Sequence, residues 1–401
     1  MSLNATPSAN RLHIGFFGRR NAGKSSLVNA VTGQSLSVVS EVKGTTTDPV
    51  RKAMELLPLG PVVIIDTPGL DDAGYLGEKR VEKTRETLAR TDIAVLVVDA
   101  KEGLQAEDLE LEALLRERKL PCLIALNKAD LLTERGEVPE NALYVSALTG
   151  EGIQTLKDRL GAFARDRKQE RPIVADLLSP GDNVVLVIPI DGSAPKGRLI
   201  LPQQQTIRDV LDAHCTLSVC QPEELAHCLA ACKRPPRLVI TDSQAFGRVS
   251  KIVPESVPLT SFSILFARYK GALAQQVRGA AALSRLREGD RVLISEGCTH
   301  HRQCNDIGTV KLPGWIEGFT GVKPAFSFTS GGTFPAELSD YALVVHCGGC
   351  MLNQQEMQHR SALCASAGVP MVNYGVAIAR MHGILRRALE PFPGMAELLD
   401  S

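Results

Sequence analysis

GRRNAGKS, the sequence of residues 18–25, determines which fold the N-terminal part of this chain can adopt. It matches the pattern G-x-x-x-x-G-K-[ST], in which a glycine-rich loop joins a strand to a helix and turns backbone amides towards phosphate oxygens. A strand is predicted just before the loop, at residues 13–18. Lys24 would neutralise the β- and γ-phosphates of a nucleotide, and the Ser25 hydroxyl would bind Mg²⁺. The other predicted phosphate-binding residues are Asn21, Ala22, Gly23 and Ser26.

A second motif, Asp-Thr-Pro-Gly at residues 66–69, follows a strand predicted at residues 62–66. Asp66 ends that strand, where its carboxylate can contact Mg²⁺ through water. The Gly69 amide can sense the γ-phosphate and couple the loss of this group to loop motion. Lys24, Asp66 and Gly69 are therefore the candidate catalytic residues.

A third motif, Asn-Lys-Ala-Asp at residues 127–130, follows a strand predicted at residues 121–127. The Asp130 carboxylate can accept hydrogen bonds from the N1 and N2 groups of guanine, a pair of donors that adenine lacks. The motif therefore predicts a preference for GTP over ATP. The remaining predicted guanine-site residues are Asn127, Lys128, Ser146 and Ala147.

Residues 12–163 carry these motifs in order at strand ends, and they resemble Ras-like GTPases of the Era and tRNA-modification branch. The alternation of apolar strands with helices predicts an α/β fold with a parallel sheet covered on both faces. The resemblance implies binding of GTP, GDP and Mg²⁺. The segment Gly-Thr-Thr-Thr-Asp at residues 44–48 matches the switch I motif of that branch, and either Thr46 or Thr47 is implied to bind Mg²⁺.

Two positions refine the prediction of GTP hydrolysis. Leu70 stands where Ras-like enzymes have the glutamine that orients water, so hydrolysis is expected to be slow unless a partner or ion assists. Asn21 resembles the asparagine that holds K⁺ in potassium-activated members. An asparagine also tolerates a tight turn on its own, so both interpretations of Asn21 stay open.

Net charge and hydropathy argue against nucleic-acid-binding, membrane-spanning and secreted proteins. The 401 residues include 45 Lys and Arg and 45 Asp and Glu, a balance that argues against a protein built to hold a nucleic-acid backbone. No apolar run approaches the ~20 residues of a membrane helix. The N-terminus lacks the apolar core of a signal peptide. We therefore expect a cytoplasmic protein without nucleic-acid or membrane partners.

Three α/β domains are predicted along the chain. A Ras-like GTPase domain covers residues 1–168, a small domain covers residues 176–266, and a parallel-sheet domain covers residues 267–401. In the third domain, strands predicted at residues 291–295 and 341–345 each lead to a cysteine motif.

The cysteines are concentrated in the second half of the chain, where nine of the ten are found. In a reducing cytosol, such clustering favours metal binding or redox chemistry over structural disulfides. The two motifs are Cys-Thr-His at residues 298–300 and His-Cys-Gly-Gly-Cys at residues 346–350. Because the C-terminal ends of parallel strands share one sheet edge, the motifs are expected to converge. Their thiols suit a [4Fe–4S] cluster with an open fourth position, a zinc site with one histidine or a thioredoxin-like dithiol.

The combination of these cysteine motifs with an N-terminal GTPase resembles the HydF family of [FeFe]-hydrogenase maturation GTPases, over essentially the whole chain. The cluster ligands implied by the resemblance are Cys298, Cys347 and Cys350, with a fourth ligand from His346, His300, Glu296 or water. The family's role implies a scaffold with a [4Fe–4S] domain at residues 267–401. It would receive a diiron precursor made with two radical S-adenosylmethionine enzymes and deliver it to apo-hydrogenase. The small domain at residues 176–266 is implied to form a homodimer.

Other positions have simpler interpretations. Four cysteines resemble a metal spacing but are expected to pack as small apolar side chains: Cys215, Cys220, Cys228 and Cys232. Cys304 lies close enough to Cys298 in sequence to enter the site, and Cys364 is expected to pack in a helix. Residues 327–333, rich in glycine and hydroxyl groups, are predicted to form a turn.

An alternative function is that of an RNA-modifying or ribosome-assembly GTPase with a structural zinc site. That function predicts a basic surface or a cysteine motif at the C-terminus. The balanced charge and the absence of cysteine after Cys364 argue against it. A membrane iron transporter's GTPase is disfavoured because no apolar run is long enough to span a bilayer.

Overall fold

The computed structural model describes residues 7–34, 50–67, 86–166, 171–190, 199–297 and 307–399. The chain divides into two compact units, Met1–Gln169 and Glu170–Ser401. Within the described ranges, no helix is both long enough and apolar enough to cross a membrane.

The first unit is built on a six-stranded sheet with the order β2-β3-β1-β4-β5-β6. Its neighbouring strands are parallel except for β2 and β3, which pair antiparallel. The strands are β1 (Leu12–Phe17), β2 (Val50–Leu56), β3 (Gly60–Asp66), β4 (Ile93–Asp99), β5 (Cys122–Asn127) and β6 (Ala142–Tyr144). The described helices of this unit are α1 (Lys24–Thr32), α2 (Ala106–Glu117) and α3 (Ile153–Asp166).

Both faces of this sheet are apolar. Phe16 and Val97 belong to one buried cluster, whereas their chain neighbours Phe17 and Val98 belong to another. Successive side chains of a strand point to opposite faces, so each cluster covers one face. This arrangement confirms the predicted parallel α/β fold, in which near-continuous apolar strands are buried on both sides.

The second unit contains two four-stranded parallel sheets, with the orders β10-β9-β7-β8 and β12-β11-β13-β14. The first is formed by β7 (Asn183–Val187), β8 (Thr216–Cys220), β9 (Leu238–Thr241) and β10 (Leu259–Ser261). The second is formed by β11 (Arg291–Glu296), β12 (Ala325–Ser330), β13 (Leu343–His346) and β14 (Met371–Asn373). The described α-helices are α4 (Leu201–Asp212), α5 (Leu225–Ala231), α6 (Phe246–Ile252), α7 (Phe262–Tyr269), α8 (Leu273–Leu283), α9 (Leu312–Thr320), α10 (Gln354–Ser366), α11 (Tyr374–Met381) and α12 (Leu385–Leu389).

Polar caps join strands directly to helices in this unit. Ser261 ends β10 and its side chain accepts a hydrogen bond from the Ile264 amide at 3.3 Å. Asn373 ends β14 and accepts from the Val376 amide at 2.7 Å. Each cap satisfies an amide that the first helical turn leaves without an intrahelical partner. The strand ends are thereby fixed at one edge of each sheet.

The two sheets of the second unit share one apolar core, which contains Val185 of β7 and Val345 of β13. The Thr260 hydroxyl also donates to the Ala388 carbonyl oxygen at 3.0 Å. The boundary predicted between residues 266 and 267 lies inside α7 (Phe262–Tyr269). These two parts of the chain therefore pack as one compact unit.

Four edge strands differ from the sequence-based expectations. β2, β8 and β10 were not predicted, and the turn predicted at residues 327–333 is wrong for residues 327–330, which belong to β12. β12 is at the edge of its sheet and most of its side chains are partly exposed. An edge strand needs no continuous apolar run because only one side of it is paired and its faces are less covered.

Candidate nucleotide site and candidate cluster site

The loop between β1 and α1 has the backbone shape of a phosphate cradle. Gly18, Asn21 and Gly23 have positive φ values of 141°, 61° and 84°. A Cβ atom at Gly18 would lie 2.2 Å from the Val97 carbonyl oxygen, and one at Gly23 would lie 2.3 Å from Nδ2 of Asn127. Close contact with the backbone therefore requires glycine at position 18, and the positive φ favours glycine at both positions.

Lys24 is the first residue of α1, and its side chain is buried. Its ammonium group donates to the carbonyl oxygens of Gly18 and Arg19, at 2.9 and 2.6 Å. Both acceptors belong to the loop. The positive charge is therefore held at the segment that would surround a phosphate group.

Ser25 and Asp66 form the pair expected for a magnesium site. The Ser25 hydroxyl donates to Oδ2 of Asp66 at 2.7 Å. The other carboxylate oxygen, Oδ1, is buried and has no hydrogen-bond partner among the residues that the structure describes. A hydroxyl and a buried carboxylate oxygen are hard donors of the kind that Mg²⁺ prefers, so these residues fit that ion.

Asn127 connects the phosphate loop to the loop that is predicted to bind guanine. Its Nδ2 donates to the Ala22 carbonyl oxygen at 2.9 Å, and its Oδ1 accepts from the Ala147 amide at 3.1 Å. Asp130 accepts from the Ser146 hydroxyl at 2.5 Å through Oδ1. The structure thus brings the predicted base-recognition residues together after β5 and β6.

Lys128 is braced by a residue that the sequence analysis missed. Lys128 has a φ of 63°, and its ammonium group bonds Oδ2 of Asp99 at 2.7 Å. Burial raises the pKa of Asp99, but hydrogen bonds from Lys128 and the Lys101 amide prevail, and the pKa lies below its ordinary value. The position of Asp99 at the end of β4 was the signal available in the sequence.

Arg19 is a second residue that was missed. Its guanidinium group donates to Oδ2 of Asp108 at 3.1 Å and to Oε2 of Glu102 at 2.7 Å. Asp108 is buried on α2, and its Oδ2 also accepts from the Gln105 amide at 3.1 Å. These contacts hold the phosphate loop against the segment that follows β4.

Several predicted site residues lie outside the described residues. They are Thr46, Thr47, Gly69, Leu70, Cys298, His300 and Cys304. Ser26 is described and lies half-buried in α1.

Cys347 directly follows β13 and has a sulfur atom surrounded by amides. Its Sγ accepts hydrogen bonds from the backbone amides of Gly297 at 3.0 Å and Gly349 at 3.4 Å. Burial raises the pKa of this thiol above its ordinary value, although both amides oppose the shift. Amides directed at sulfur stabilise a thiolate, and they surround the cysteine ligands of iron–sulfur clusters.

Cys350 is the second thiol of this turn. Burial, and then the neighbouring Cys347, raise the pKa of Cys350 to about 12, against the influence of the Lys270 ammonium group. Gly349, between the two cysteines, has a φ of 63°. The two thiols lie on one glycine turn with the C-x-x-C spacing, a donor set that fits a soft metal centre binding thiolates.

The candidate fourth ligands have different surroundings. His346 is fully buried, and its ring nitrogens contact Arg360 at 3.0 Å and the Cys347 carbonyl oxygen at 2.7 Å. Burial and then the Arg360 charge lower the pKa of His346 to about 3. Glu296 ends β11, where Oε1 accepts from the Tyr374 hydroxyl at 3.4 Å and the carboxylate raises the pKa of Cys347.

No group of three or more His, Cys, Asp or Glu side chains is placed to hold a metal ion in the part of the chain that the structure describes. Cys215 lies in the core of the second unit, and Cys220, Cys228 and Cys232 pack against it. Cys364 is buried in α10. These positions agree with the expectation that these five cysteines serve as packing side chains.

Different family models match the two units of the chain. The family model for the hydrogen maturase F dimerization domain matches residues 173–271, and that for the hydrogen maturase F tetramerization domain matches residues 274–391. The chain belongs to the hydrogen maturase F family. As in the resemblance drawn from the motifs, its N-terminal part is a GTPase domain, because residues 13–128 match the family model described as 50S ribosome-binding GTPase.

Individual relatives of this hydrogen maturase F chain cover its GTPase domain. The tRNA modification GTPase MnmE of Nitrosomonas europaea is 36% identical over 148 residues, which are 36% of this chain and 32% of that protein. GTPase Der of Kosmotoga olearia is 34% identical over 168 residues, 37% of this chain and 38% of that protein. The chain thus spans about a third of the length of these curated relatives. The crystal structure of Aquifex aeolicus Era bound to GDP and AlF4⁻ is 18% identical, with a TM-score of 0.34, and covers 52% of this chain and 93% of its own.

Proposed function

We propose that this chain is a GTP-hydrolysing scaffold for [FeFe]-hydrogenase maturation. It holds a [4Fe–4S] cluster through Cys298, Cys347 and Cys350, receives a diiron precursor and delivers it to apo-hydrogenase. The observation that carries the proposal is the hydrogen bond from the Gly297 amide to the Cys347 sulfur. Gly297 is joined directly to Cys298 in the chain. The residue that precedes the first cysteine motif therefore contacts the first cysteine of the second motif, although the two residues are 50 positions apart in sequence.

The cluster would supply an iron position at which a bridging ligand of the incoming diiron cargo can attach and later leave. The residues of the chain have separate roles around that position. Cys347 and Cys350 supply thiolates, and the Gly297 and Gly349 amides stabilise the charge on the Cys347 sulfur. The fourth-ligand candidates are Glu296, His300 and His346.

The zinc and dithiol alternatives make different demands on the site. A structural zinc site is closed by four protein ligands, and a reactive dithiol needs a thiol with a lowered pKa. The pKa values of Cys347 and Cys350 are raised instead. Within the described residues His346 already has partners for both ring nitrogens. The raised pKa values argue against a reactive dithiol, and the engaged His346 ring argues against a closed zinc site that uses this histidine.

The GTPase domain is proposed to act as a slow regulatory switch. Lys24 neutralises the phosphates, and Ser25, Asp66 and either Thr46 or Thr47 bind Mg²⁺ directly or through water. The Gly69 amide reports the γ-phosphate to its loop. Loss of that contact on hydrolysis would change the surface offered to a partner.

K⁺ is proposed to assist hydrolysis through Asn21. Asn21 is exposed in the phosphate loop with a φ of 61°, so its carboxamide can meet an ion beside the phosphates. A cation between the phosphates would supply the positive charge that an arginine finger provides in other GTPases.

The partners follow from the proposed cargo. The family of the chain includes dimerization and tetramerization domains, and we propose that a homodimer is its basic assembly. The two radical S-adenosylmethionine maturases supply the diiron precursor, and apo-[FeFe]-hydrogenase accepts it.

An anaerobic maturation assay tests the function. The reconstituted chain is incubated with the two radical enzymes and their substrates, re-isolated and mixed with apo-hydrogenase, and hydrogen production is measured. Cys347→Ala should reduce hydrogen production to background while GTP hydrolysis continues at the parent rate. Cys220→Ala, a matched change at a packing cysteine, should retain both activities. Activation by Cys347→Ala at the parent level would refute the proposal.

A further inference from the structure

A buried ion pair lies behind the cysteine turn. Arg360 of α10 is 1% exposed, one of the largest fully buried side chains in the structure. One terminal nitrogen donates to Oε1 of Glu356 at 2.6 Å and to the Gly331 carbonyl oxygen at 2.8 Å. Glu356 is also buried. A buried charge is tolerated when it is paired and hydrogen bonded, so Arg360 is fixed in place by these partners.

The other terminal nitrogen of Arg360 reaches Nε2 of His346 at 3.0 Å. A guanidinium group donates hydrogen bonds and cannot accept them, so Nε2 is the acceptor and carries no proton. The ring proton is therefore on Nδ1, which donates to the Cys347 carbonyl oxygen at 2.7 Å. Both nitrogens of the ring are engaged, and neither offers a free lone pair to iron.

Aromatic packing adds a second restraint on this arrangement. The guanidinium carbon of Arg360 lies 5.1 Å from the centroid of the Phe334 ring, and the His346 ring centroid lies 6.3 Å from it. If the imidazole turned away, the guanidinium nitrogen would retain, among the described residues, only the Ser295 hydroxyl, at 3.4 Å. Leaving a buried donor poorly bonded costs about 1–3 kcal/mol. The network therefore opposes rotation of the ring.

We propose that Arg360 is a positioning residue of the cluster site. It holds the His346 ring as a brace on the carbonyl group of Cys347, and it keeps that ring from becoming the fourth ligand of the cluster. The ligand at the fourth position then comes from another group or from the cargo itself. This inference rests on the proposed function, because it concerns a ligand of the proposed cluster. The arrangement of His346 itself can be tested without a cluster.

The first test uses the cluster-free chain labelled with ¹⁵N-histidine, and NMR reports which ring nitrogen carries the proton. A His346→Gln spectrum assigns the signal. The parent should show the Nδ1–H form of His346. The double variant Arg360→Met, Glu356→Gln removes both buried charges together, and it should convert part of the population to the Nε2–H form. The Nε2–H form in the parent would overturn the proposal.

The second test uses the reconstituted, reduced chain and pulsed EPR. The parent should show no histidine-nitrogen coupling that His346→Gln removes, whereas the double variant should gain a coupling that disappears when His346→Gln is added. A matched control removes an exposed ion pair of the same domain, Arg291→Met with Asp340→Asn, and it should resemble the parent. His346 coupling in the parent, or none in the double variant, would contradict the positioning role.

Failure of the proposed function and failure of the positioning role of Arg360 give different results. A chain that takes up no cluster would refute the proposed function, while the NMR measurement would still decide how Arg360 places His346. Where the double variant does not fold, Arg360→Lys provides the second variant. A single ammonium group cannot reach Glu356, Gly331 and His346 together, so the Nδ1–H signal should weaken; an unchanged signal would overturn the proposal.

Discussion

Asp130 is the residue on which the choice of nucleotide depends. Its Oδ1 is held by the Ser146 hydroxyl, and the carboxylate matches the two donors of guanine. We predict that Asp130→Asn weakens GTP binding about 100-fold, because each hydrogen bond to a charged group contributes about 1.5–3 kcal/mol. Xanthosine triphosphate, which lacks the N2 amine, should bind the variant better than GTP does.

Titration with fluorescent nucleotide analogues checks this prediction. Asp158→Asn is the matched control, because that carboxylate is exposed on α3 and accepts a hydrogen bond from the Gln154 amide group. The control should bind GTP like the parent. Unchanged GTP affinity in Asp130→Asn would assign guanine recognition to another residue.

Asn21 allows its two interpretations to be separated. The residue has a φ of 61°, which glycine also adopts readily. Asn21→Gly therefore keeps the turn and removes only the carboxamide. If Asn21 holds K⁺, the parent should hydrolyse GTP faster in K⁺ than in Na⁺, and the variant should lose that difference. Equal parent rates in the two salts, measured as phosphate release, would leave Asn21 as a turn residue.

Residue pairs that are distant in sequence were the least predictable part of the site. Asp130, Ser146 and Asn127 were found because each follows an apolar strand in a motif of fixed spacing. Arg19 with Asp108, and His346 with Arg360, are brought together by packing between elements. No local pattern in the sequence marks such pairs.

At the scale of elements, the phosphate loop is shaped by contact with β4. A Cβ atom at Gly18 would lie 2.2 Å from the Val97 carbonyl oxygen, whereas one at Gly33, after α1, would meet no atom of the described residues within 4 Å. Both glycines have positive φ. An alanine at either position would meet the same kind of backbone strain, but only the alanine at position 18 would also collide with β4. Comparing the two substitutions therefore distinguishes steric conflict from backbone strain.

We predict that Gly18→Ala lowers the free energy of unfolding of the GTPase domain by about 3 kcal/mol or more and abolishes GTP binding. Gly33→Ala should reduce stability by about 1 kcal/mol, the strain of a left-handed alanine, and leave GTP binding intact. Denaturation curves and nucleotide titration check both values. Equal effects of the two substitutions would contradict the contact with β4.

The central strands could all be predicted, whereas several edge strands, β2 and β12 among them, could not. β1, β4 and β5 are apolar over nearly their whole length because both of their faces are covered. β2 and β12 are at sheet edges, where partial exposure permits charged or hydroxyl side chains. Hydrogen bonding to β3 and β11 determines these two strands, and that pairing is not encoded in local hydropathy.

At the scale of the molecule, the division into two compact units predicts that each unit folds on its own and keeps its own binding properties. The apolar clusters of the first unit contain residues of that unit alone. We predict that residues 1–169 fold alone, bind GTP and remain monomeric. Residues 170–401, which carry the dimerization and tetramerization domains, should assemble into oligomers.

Light scattering and nucleotide titration of the two fragments check this partition. The full chain, which should combine GTP binding with oligomerisation, is the reference. An aggregated fragment of residues 1–169, or a monomeric fragment of residues 170–401, would contradict it.

Iron and sulfide content, measured after anaerobic reconstitution, tests most directly whether the cysteine turn holds a [4Fe–4S] cluster. We predict a brown protein with about four irons and four sulfides per chain. Cys347→Ala and Cys350→Ala should lose the colour, and Cys122→Ala, in the GTPase domain, should retain it. A colourless parent chain that holds one zinc ion would contradict the account.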